Sequence, residues 1–216
     1  MTPKKIILAG TKPHSIARVI GRHLHEQGWD VWLYSRHAKR VEHTRWHERR
    51  CDVTKSADIA RLLSEVGTPQ AVVFSADSDG HGTIQRISER RLRALIDAKV
   101  TGSILLTKRV LAHSRKPVSL VWLIGKIGVK PQDLFLYGVV NAAVVAFVDQ
   151  LKALGRTVRP YMLPLGVITP STLGDAYLRQ NPGKQLATDS PVNVARFVAR
   201  ILRGGVRIRY RTKGSI

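Results

Sequence analysis

The chain is expected to fold as a doubly wound α/β domain with a parallel sheet. Three observations lead there. Short apolar runs of the fully buried strand type alternate with longer segments whose apolar residues recur at helical spacing. The first apolar run ends in a glycine just before a helix start, as a nucleotide-binding turn requires. Glycines and polar turns then divide the segments at the lengths of strand–helix–strand crossovers.

The elements follow in order. Residues 4–9 read as a buried strand that runs into Gly10. Residues 16–27 carry Ile16, Ile20 and Leu24 on one helical face, and Gly28 stops them. Residues 31–34 form a second strand, and residues 57–66 an amphipathic helix with Ile59, Leu62, Leu63 and Val66 on one side. A third strand at 71–75 is nearly all apolar, the pattern of a strand covered on both faces. Residues 88–111 make a long helix, or two merged, followed by a strand at 118–124 and a helix at 134–154. A strand at 161–167, a helix at 191–202 and a closing strand at 206–210 complete the pattern. No internal repeat or low-complexity linker appears, and 216 residues suit one domain spanning 1–216. Residues 173–190, with Gly174, Asn181, Pro182 and Gly183, read as a mobile loop placed to close over a substrate.

Composition narrows the partners. Lys and Arg total 36 against 15 Asp and Glu, a formal charge of +21, so the field around the protein attracts polyanions. A nucleotide phosphate, RNA, an anionic lipid surface and an acidic carrier protein are all compatible with it. The one cysteine, Cys51, excludes an intrachain disulfide and suits a reducing, cytoplasmic setting. Lys4 and Lys5 are followed only by Ile6 to Ala9 before Gly10, too short for a secretory signal. The apolar stretch 139–148 contains Asn141, so no membrane span is expected. His43 and His47 stand one helical turn apart with no third ligand near them. No metal site is expected, and His37, His43 and His47 read as solvent-exposed.

Two segments carry nucleotide chemistry. Gly10-Thr11-Lys12-Pro13-His14-Ser15-Ile16-Ala17 joins the first strand to the first helix, where free N–H groups and the helix dipole favour a pyrophosphate. Ser15 is also a good N-cap in its own right. Leu33-Tyr34-Ser35-Arg36 ends the second strand without the acidic residue that selects NAD. Arg36 offers a fork to a 2′-phosphate, so NADP(H) is expected over NAD(H).

Tyr137-Gly138-Val139-Val140-Asn141 resembles the Tyr-x-x-x-Lys signature of the short-chain dehydrogenase/reductase family, with Asn141 at the Lys position. Gly125, twelve residues upstream, stands where that family places its catalytic Ser, and Lys99 stands where it places a relay Asn. Ser15-Ile16-Ala17 takes the place of Gly-Ile-Gly and is similar to the enoyl-acyl carrier protein reductase branch. Cys51-Asp52-Val53-Thr54 resembles the segment beside the adenine, with Asp52 accepting from its amino group. Phe74-Ser75-Ala76-Asp77 occupies the place of Asn-Asn-Ala-Gly, and its Ser75 leans towards the enoyl reductase branch. Pro164, Gly166, Val167 and Thr169 resemble the segment that holds nicotinamide, and Ser190-Pro191-Val192-Asn193-Val194-Ala195 a late helix start. The resemblance runs from Lys4 to about Tyr210. It implies a Rossmann-type fold with Gly10, Thr11, Ser15, Ile16, Ser35, Arg36, Asp52, Val53, Ser75, Ala76, Tyr137, Asn141, Pro164, Gly166, Val167 and Thr169 around the cofactor.

In that family the Tyr is the acid or base for a carbonyl oxygen, the Lys lowers its pKa and holds ribose, and the Ser steadies the substrate. A phenol near pKa 10 needs such a cation to act near neutral pH. Here Tyr137 is kept, Asn141 supplies no cation and Gly125 no hydroxyl. The relay helix lies beside the Tyr helix in this family, so the Lys99 ammonium is a candidate replacement, with Lys126 second. Two readings stay open. One is an oxidoreductase acting on a carbonyl or activated double bond of a small molecule. The other is a non-catalytic nucleotide sensor or scaffold on an anionic partner such as RNA. The resemblance also implies a homodimer or homotetramer through the helices at 88–111 and 134–154, where Ala142, Ala143, Val145 and Ala146 allow close packing.

Two stretches concentrate the charge. Residues 36–50 hold Arg36, Lys39, Arg40, Arg45, Arg49 and Arg50 around Trp46, and after Asp189 seven cations follow with no acid. Clustered arginines with an aromatic suit a single-stranded nucleic acid. A 2′-phosphate platform plus solvated faces is the more ordinary account of both.

Overall fold

The computed structural model describes residues 2–11, 14–75, 83–125, 135–180 and 187–204. Lys126, Ala76 and the strand expected at 206–210 lie outside them. Strands β1 Lys5–Ala9, β2 Asp30–Ser35, β3 Val41–His43, β4 Trp46–Arg50, β5 Ala71–Phe74, β6 Val118–Gly125 and β7 Val158–Leu165 form one seven-stranded sheet. Its order is β3-β4-β2-β1-β5-β6-β7, parallel throughout except for β3 against β4. The chain steps one way from β1 to β2 and the other way from β5 to β7. The strand order therefore reverses between β1 and β5, and a crevice opens there at the C-terminal strand ends.

Alternation along each strand divides the core in two. Ile7, Trp32, Val72, Leu120 and Trp122 point to one face, where α2 Ser56–Val66, α4 Gly102–His113 and α5 Phe135–Lys152 cover them. Ile6, Leu8, Val31, Leu33, Val73 and Val121 point to the other, under α1 Ile16–Glu26 and α7 Pro191–Leu202. Phe74 stacks on Trp122 with ring centroids 4.4 Å apart, which anchors the first layer beneath the crevice. Serines open the helices as anticipated: Ser15 accepts from Arg18 N–H, and Ser190 from Asn193 N–H with Pro191 in the first turn.

Four expectations change. Residues 36–50 are not simply a solvated face, because they contain the β3–β4 hairpin, and Glu48 and Arg49 are buried. His47 is not solvent-exposed: it stacks on Trp32 at 4.0 Å and lies between Asp30 and Glu42. The strand expected at 161–167 begins at Val158 and ends at Leu165. Pro160 hid its start, yet among the described residues β7 pairs on one side only, with β6, where a proline is tolerated. The segment read as a loop at 173–190 contains α6 Thr172–Gln180 and β9 Thr188–Asp189, which pairs with β8 Val167–Ile168. Asp175 holds that corner, accepting from Thr169 Oγ1 at 2.7 Å and Ser171 N–H at 3.0 Å.

The long helix is two, α3 Glu89–Ile96 and α4, joined through a π-helical turn at Asp97–Thr101. Such turns insert an extra residue and re-aim side chains. Gly102 follows directly, and a methyl group on it would collide with Val53, so glycine lets the turn close on the loop after β4. Helix α5 has the length and composition to cross a membrane, but Val144, Val148 and Leu151 are buried in the core against the sheet.

Candidate active site

The crevice collects the expected nucleotide residues. Gly10 ends β1 with φ +117, a conformation that side-chain-bearing residues rarely adopt, and its N–H donates to the Tyr34 carbonyl at 2.7 Å. The chain thereby turns sharply into the N-terminus of α1. Thr11 Oγ1 and Ser35 Oγ are 2.8 Å apart, tying the ends of β1 and β2. Ser75 Oγ donates to the Ala9 carbonyl at 2.7 Å and fixes the end of β5 beside them. Arg36 is exposed just past β2. Hydroxyls, an arginine and a helix N-terminus with no carboxylate at the end of β2 form the donor set that a phosphate-bearing dinucleotide needs.

Other expected contacts are engaged elsewhere. Asp52 Oδ1 accepts from Thr54 N–H at 3.0 Å and from the Thr54 hydroxyl at 2.7 Å. Burial alone would raise the Asp52 carboxyl, but the Thr54 bonds, with Lys55 and Arg36 nearby, hold it below its usual value. Val53 is buried against Gly102 and acts in packing. Gly166 N–H donates to Asp189 Oδ2 at 2.5 Å, and Thr169 keeps only its oxygen lone pairs for a ligand. The phosphate end thus offers donors of the kind a nucleotide phosphate uses, while Asp52 and Val53 are engaged within the chain. At the other end the chain has already paired Gly166 N–H and the Thr169 hydroxyl proton. Asp175 and Asp189, which do this, carry no signal in the sequence.

The positions expected to be catalytic lie around the end of β6. Gly125 is the exposed last residue of the strand. Tyr137, on the first turn of α5, is half-buried beside Leu95, Leu136 and Val140. The π turn carries Lys99 across the space between the two helices, and its Nζ lies 5.9 Å from the centroid of the Tyr137 ring. Asn141, one helical turn beyond Tyr137, is 1% exposed, and its Oδ1 has no partner among the described residues. A side chain begun at Gly125 would meet Asn141 Nδ2 at 3.6 Å, ordinary contact distance. Beneath them is a cavity of about 10 Å³ whose lining includes Tyr34, Lys99, Ser103, Trp122 and Asn141. Trp122 Nε1 is a second buried polar atom there without a partner among the described residues. Lys99 and the Trp122 indole are donors only, so the acceptor oxygen of Asn141 is the end of its amide that suits this wall. Burial pushes the Tyr34 phenol well up, so it stays neutral. Burial likewise pushes the Cys51 thiol up to about 12, which makes it inert.

No family model matches the sequence, and no curated protein matches it. Solved structures do. A short chain dehydrogenase/reductase family protein superposes with a TM-score of 0.81 at 18% identity, covering 94% of this chain and 91% of that one. The ligand-free aldohexose dehydrogenase of Thermoplasma acidophilum gives 0.73 at 19% identity, covering 93% and 87%. The 3-ketoacyl-(acyl-carrier-protein) reductase of Brucella melitensis, complexed with NADH, gives 0.76 at 16% identity, covering 92% and 90%. The chain has the short-chain dehydrogenase/reductase fold. Within the short-chain dehydrogenase/reductase fold, the crevice between β1 and β5 lies at the same strand ends as Tyr137 and Lys99. On the resemblance set out above, Lys99 falls at the expected Asn position and Asn141 at the expected Lys position.

Proposed function

We propose that this chain is an NADP(H)-binding oxidoreductase of small molecules, 1–216 forming one Rossmann-type domain. It reduces a carbonyl or an activated double bond, or runs the reverse reaction. The observation that carries the proposal is the approach of Lys99 Nζ to the Tyr137 ring, 5.9 Å, with Asn141 at the usual Lys position. The cofactor supplies hydride when bound. Tyr137 delivers a proton to the substrate oxygen, and Lys99 favours the phenolate left behind. Gly10, Thr11, Ser15 and Ile16 hold the pyrophosphate, while Ser35 and Arg36 take the 2′-phosphate. Ser75, Ala76, Asp52 and Val53 flank the adenine side, and Pro164, Gly166, Val167 and Thr169 the nicotinamide side. A cytoplasmic location fits the single thiol.

Titration with NADPH and NADH, followed by cofactor fluorescence and melting temperature, tests the cofactor. Absence of binding to both would reject the reading. Spectrophotometric titration of tyrosinate, taken as the difference between the parent and Tyr137→Phe, tests the cation. Lys99→Ala should move that difference titration to higher pH. An unmoved curve would leave Tyr137 without its proposed partner.

Helix α5 presents Phe135, Val139, Ala142, Ala143 and Ala146 outward, with Ile104 of α4 also exposed. This supports a homodimer or homotetramer built on the two long helices. Val139→Asp should shift the species seen by light scattering to monomer. A second reading, a nucleotide-binding scaffold docked on an anionic partner such as RNA, is favoured by the arginines of α7.

A further inference from the structure

We infer that the outer face of α7 is a docking surface for the phosphate backbone of a nucleic acid. The inference deepens the second reading above and rests on it. Helix α7 buries Val194, Ala195, Val198, Ala199 and Ile201 on the sheet and turns Arg196, Arg200 and its C-cap Arg203 outward. At 1.5 Å per residue these lie at intervals of about 6 and 4.5 Å along one line. Arg22, on the exposed side of the neighbouring α1, adds a fourth guanidinium. Helix α7 has no carboxylate, and α1 has only Glu26.

None of these four arginines joins an ion pair among the described residues, whereas Arg18, Arg40, Arg49, Arg61, Arg93 and Lys152 all do. With 36 cations to 15 acids, many cations must stay uncompensated, and these four are among them. The array is also partly ordered. Arg200 lies over the Phe197 ring, 5.8 Å from its centroid, which lowers the entropy lost when it grips a ligand.

The chemistry selects the partner. Guanidinium forks match phosphate oxygens in two-pronged geometry. A membrane-surface helix needs its apolar face free to enter lipid, but that face of α7 is in the core. A protein interface needs an apolar centre with aromatic anchors, and the only strongly exposed hydrophobic side chain on α7 is Val192. A line of cations without such a centre is sufficient for a nucleic-acid backbone, where phosphate contacts alone give sequence-independent, salt-sensitive binding.

The test is fluorescence anisotropy of the full chain with a labelled RNA of about 20 nucleotides, single-stranded and duplex, over a series of KCl concentrations. Four proteins are compared: the parent; Arg196→Gln with Arg200→Gln and Arg203→Gln; Arg36→Gln with Lys39→Gln and Arg40→Gln; and Arg207→Gln with Arg209→Gln and Arg211→Gln. The α7 variant should lose at least about tenfold in affinity, and its log K against log salt slope should flatten by about 2–3 on duplex RNA, roughly 0.9 per phosphate lost. The variant at 36–40 should stay within about twofold. If the α7 variant melts early, Arg200→Gln alone should still flatten the slope by about 0.9. Parent protein that binds no RNA at low salt would overturn both the inference and the scaffold reading. Parent binding that survives the α7 change, or is lost only in the 207–211 variant, would overturn the location alone. Binding to phosphatidylglycerol vesicles without RNA binding would assign the surface to lipid and overturn the inference.

Discussion

Between residues 36 and 50 the buried cation sits among carboxylates, while on α7 the cations have none. Arg49 donates to Glu65 Oε2 at 2.5 Å, to the Val41 and Glu48 carbonyls at 3.0 Å each, and to Glu42. Its guanidinium lies 4.9 Å from the Trp32 ring centroid, beside His47 on the same ring. Arg18 pairs with Glu48 one residue away. These charges tie β4 to β3 and to α2 at the side of the sheet where β3 is the last strand. The arginines of α7 do none of this, since the apolar side of the helix already holds it on the sheet. Arg49 and Arg18 thus serve structure, while Arg196, Arg200 and Arg203 join no ion pair among the described residues and are left for a partner. Pairing, not content, makes the difference.

Breaking the paired region should have the largest effect. Arg49→Ala takes from Glu42 and Glu65 their buried partner, leaving them His47 and the exposed Arg40, and uncovers Trp32, and should cost about 2–3 kcal/mol in urea unfolding. A loss below ~0.5 kcal/mol would show the network to be ornamental. Next comes Arg36, the exposed arginine of the same stretch. Arg36→Ala should weaken NADPH about 10–100-fold by loss of charge-assisted bonds to a 2′-phosphate, with NADH binding and melting temperature unchanged. Equal loss for both cofactors would detach Arg36 from the 2′ position.

The pH response sharpens the comparison further. The bond from Arg49, and then His47, holds the Glu42 carboxyl below its usual value, and the bond from Asp52 N–H does the same for Asp58. A carboxyl depressed in the folded state stabilises above its unfolded pKa, about 4.3 for Glu. That stability is lost as pH falls through the lower folded value. Glu42→Gln should thus flatten the acid side of the stability curve below pH about 4.3 and change little at pH 7 beyond the lost pair. Acid unfolding monitored by fluorescence reads this directly. The smallest expected effect on stability is Arg200→Gln, within about 0.5 kcal/mol. A larger loss would mean that α7 uses its arginines to hold the fold.

How much could be read in advance follows the same division. Strands β1, β2, β5 and β6 were visible because strands covered on both faces are apolar at nearly every position, and Ile6 to Ala9 and Ala71 to Phe74 are such short runs. Helices α1, α2 and α7 were visible through a single apolar stripe and a serine, proline or glycine at an end. The β3–β4 hairpin was missed because Glu48, Arg49 and His47 mask a strand unless one knows that Glu42, Glu65 and Asp30 will meet them. Helix α6 was missed because Gly174 and the run of turn residues at 181–183 suggest a loop, while its stabiliser, Asp175, acts on Thr169 and Ser171.

For the site, residue type was legible and proximity was not. The sequence by itself determined the doubly wound fold, the glycine turn at Gly10 and the basic end of β2. Each of these follows from local pattern, since apolar periodicity and backbone conformation are properties of neighbours in the chain. Tertiary structure alone decided that Lys99 reaches Tyr137, because a π turn and the Gly102 contact set its direction across 38 positions of sequence. It alone decided which arginines are paired, because an ion pair is worth its burial and its geometry, and both are set by residues far away in the chain.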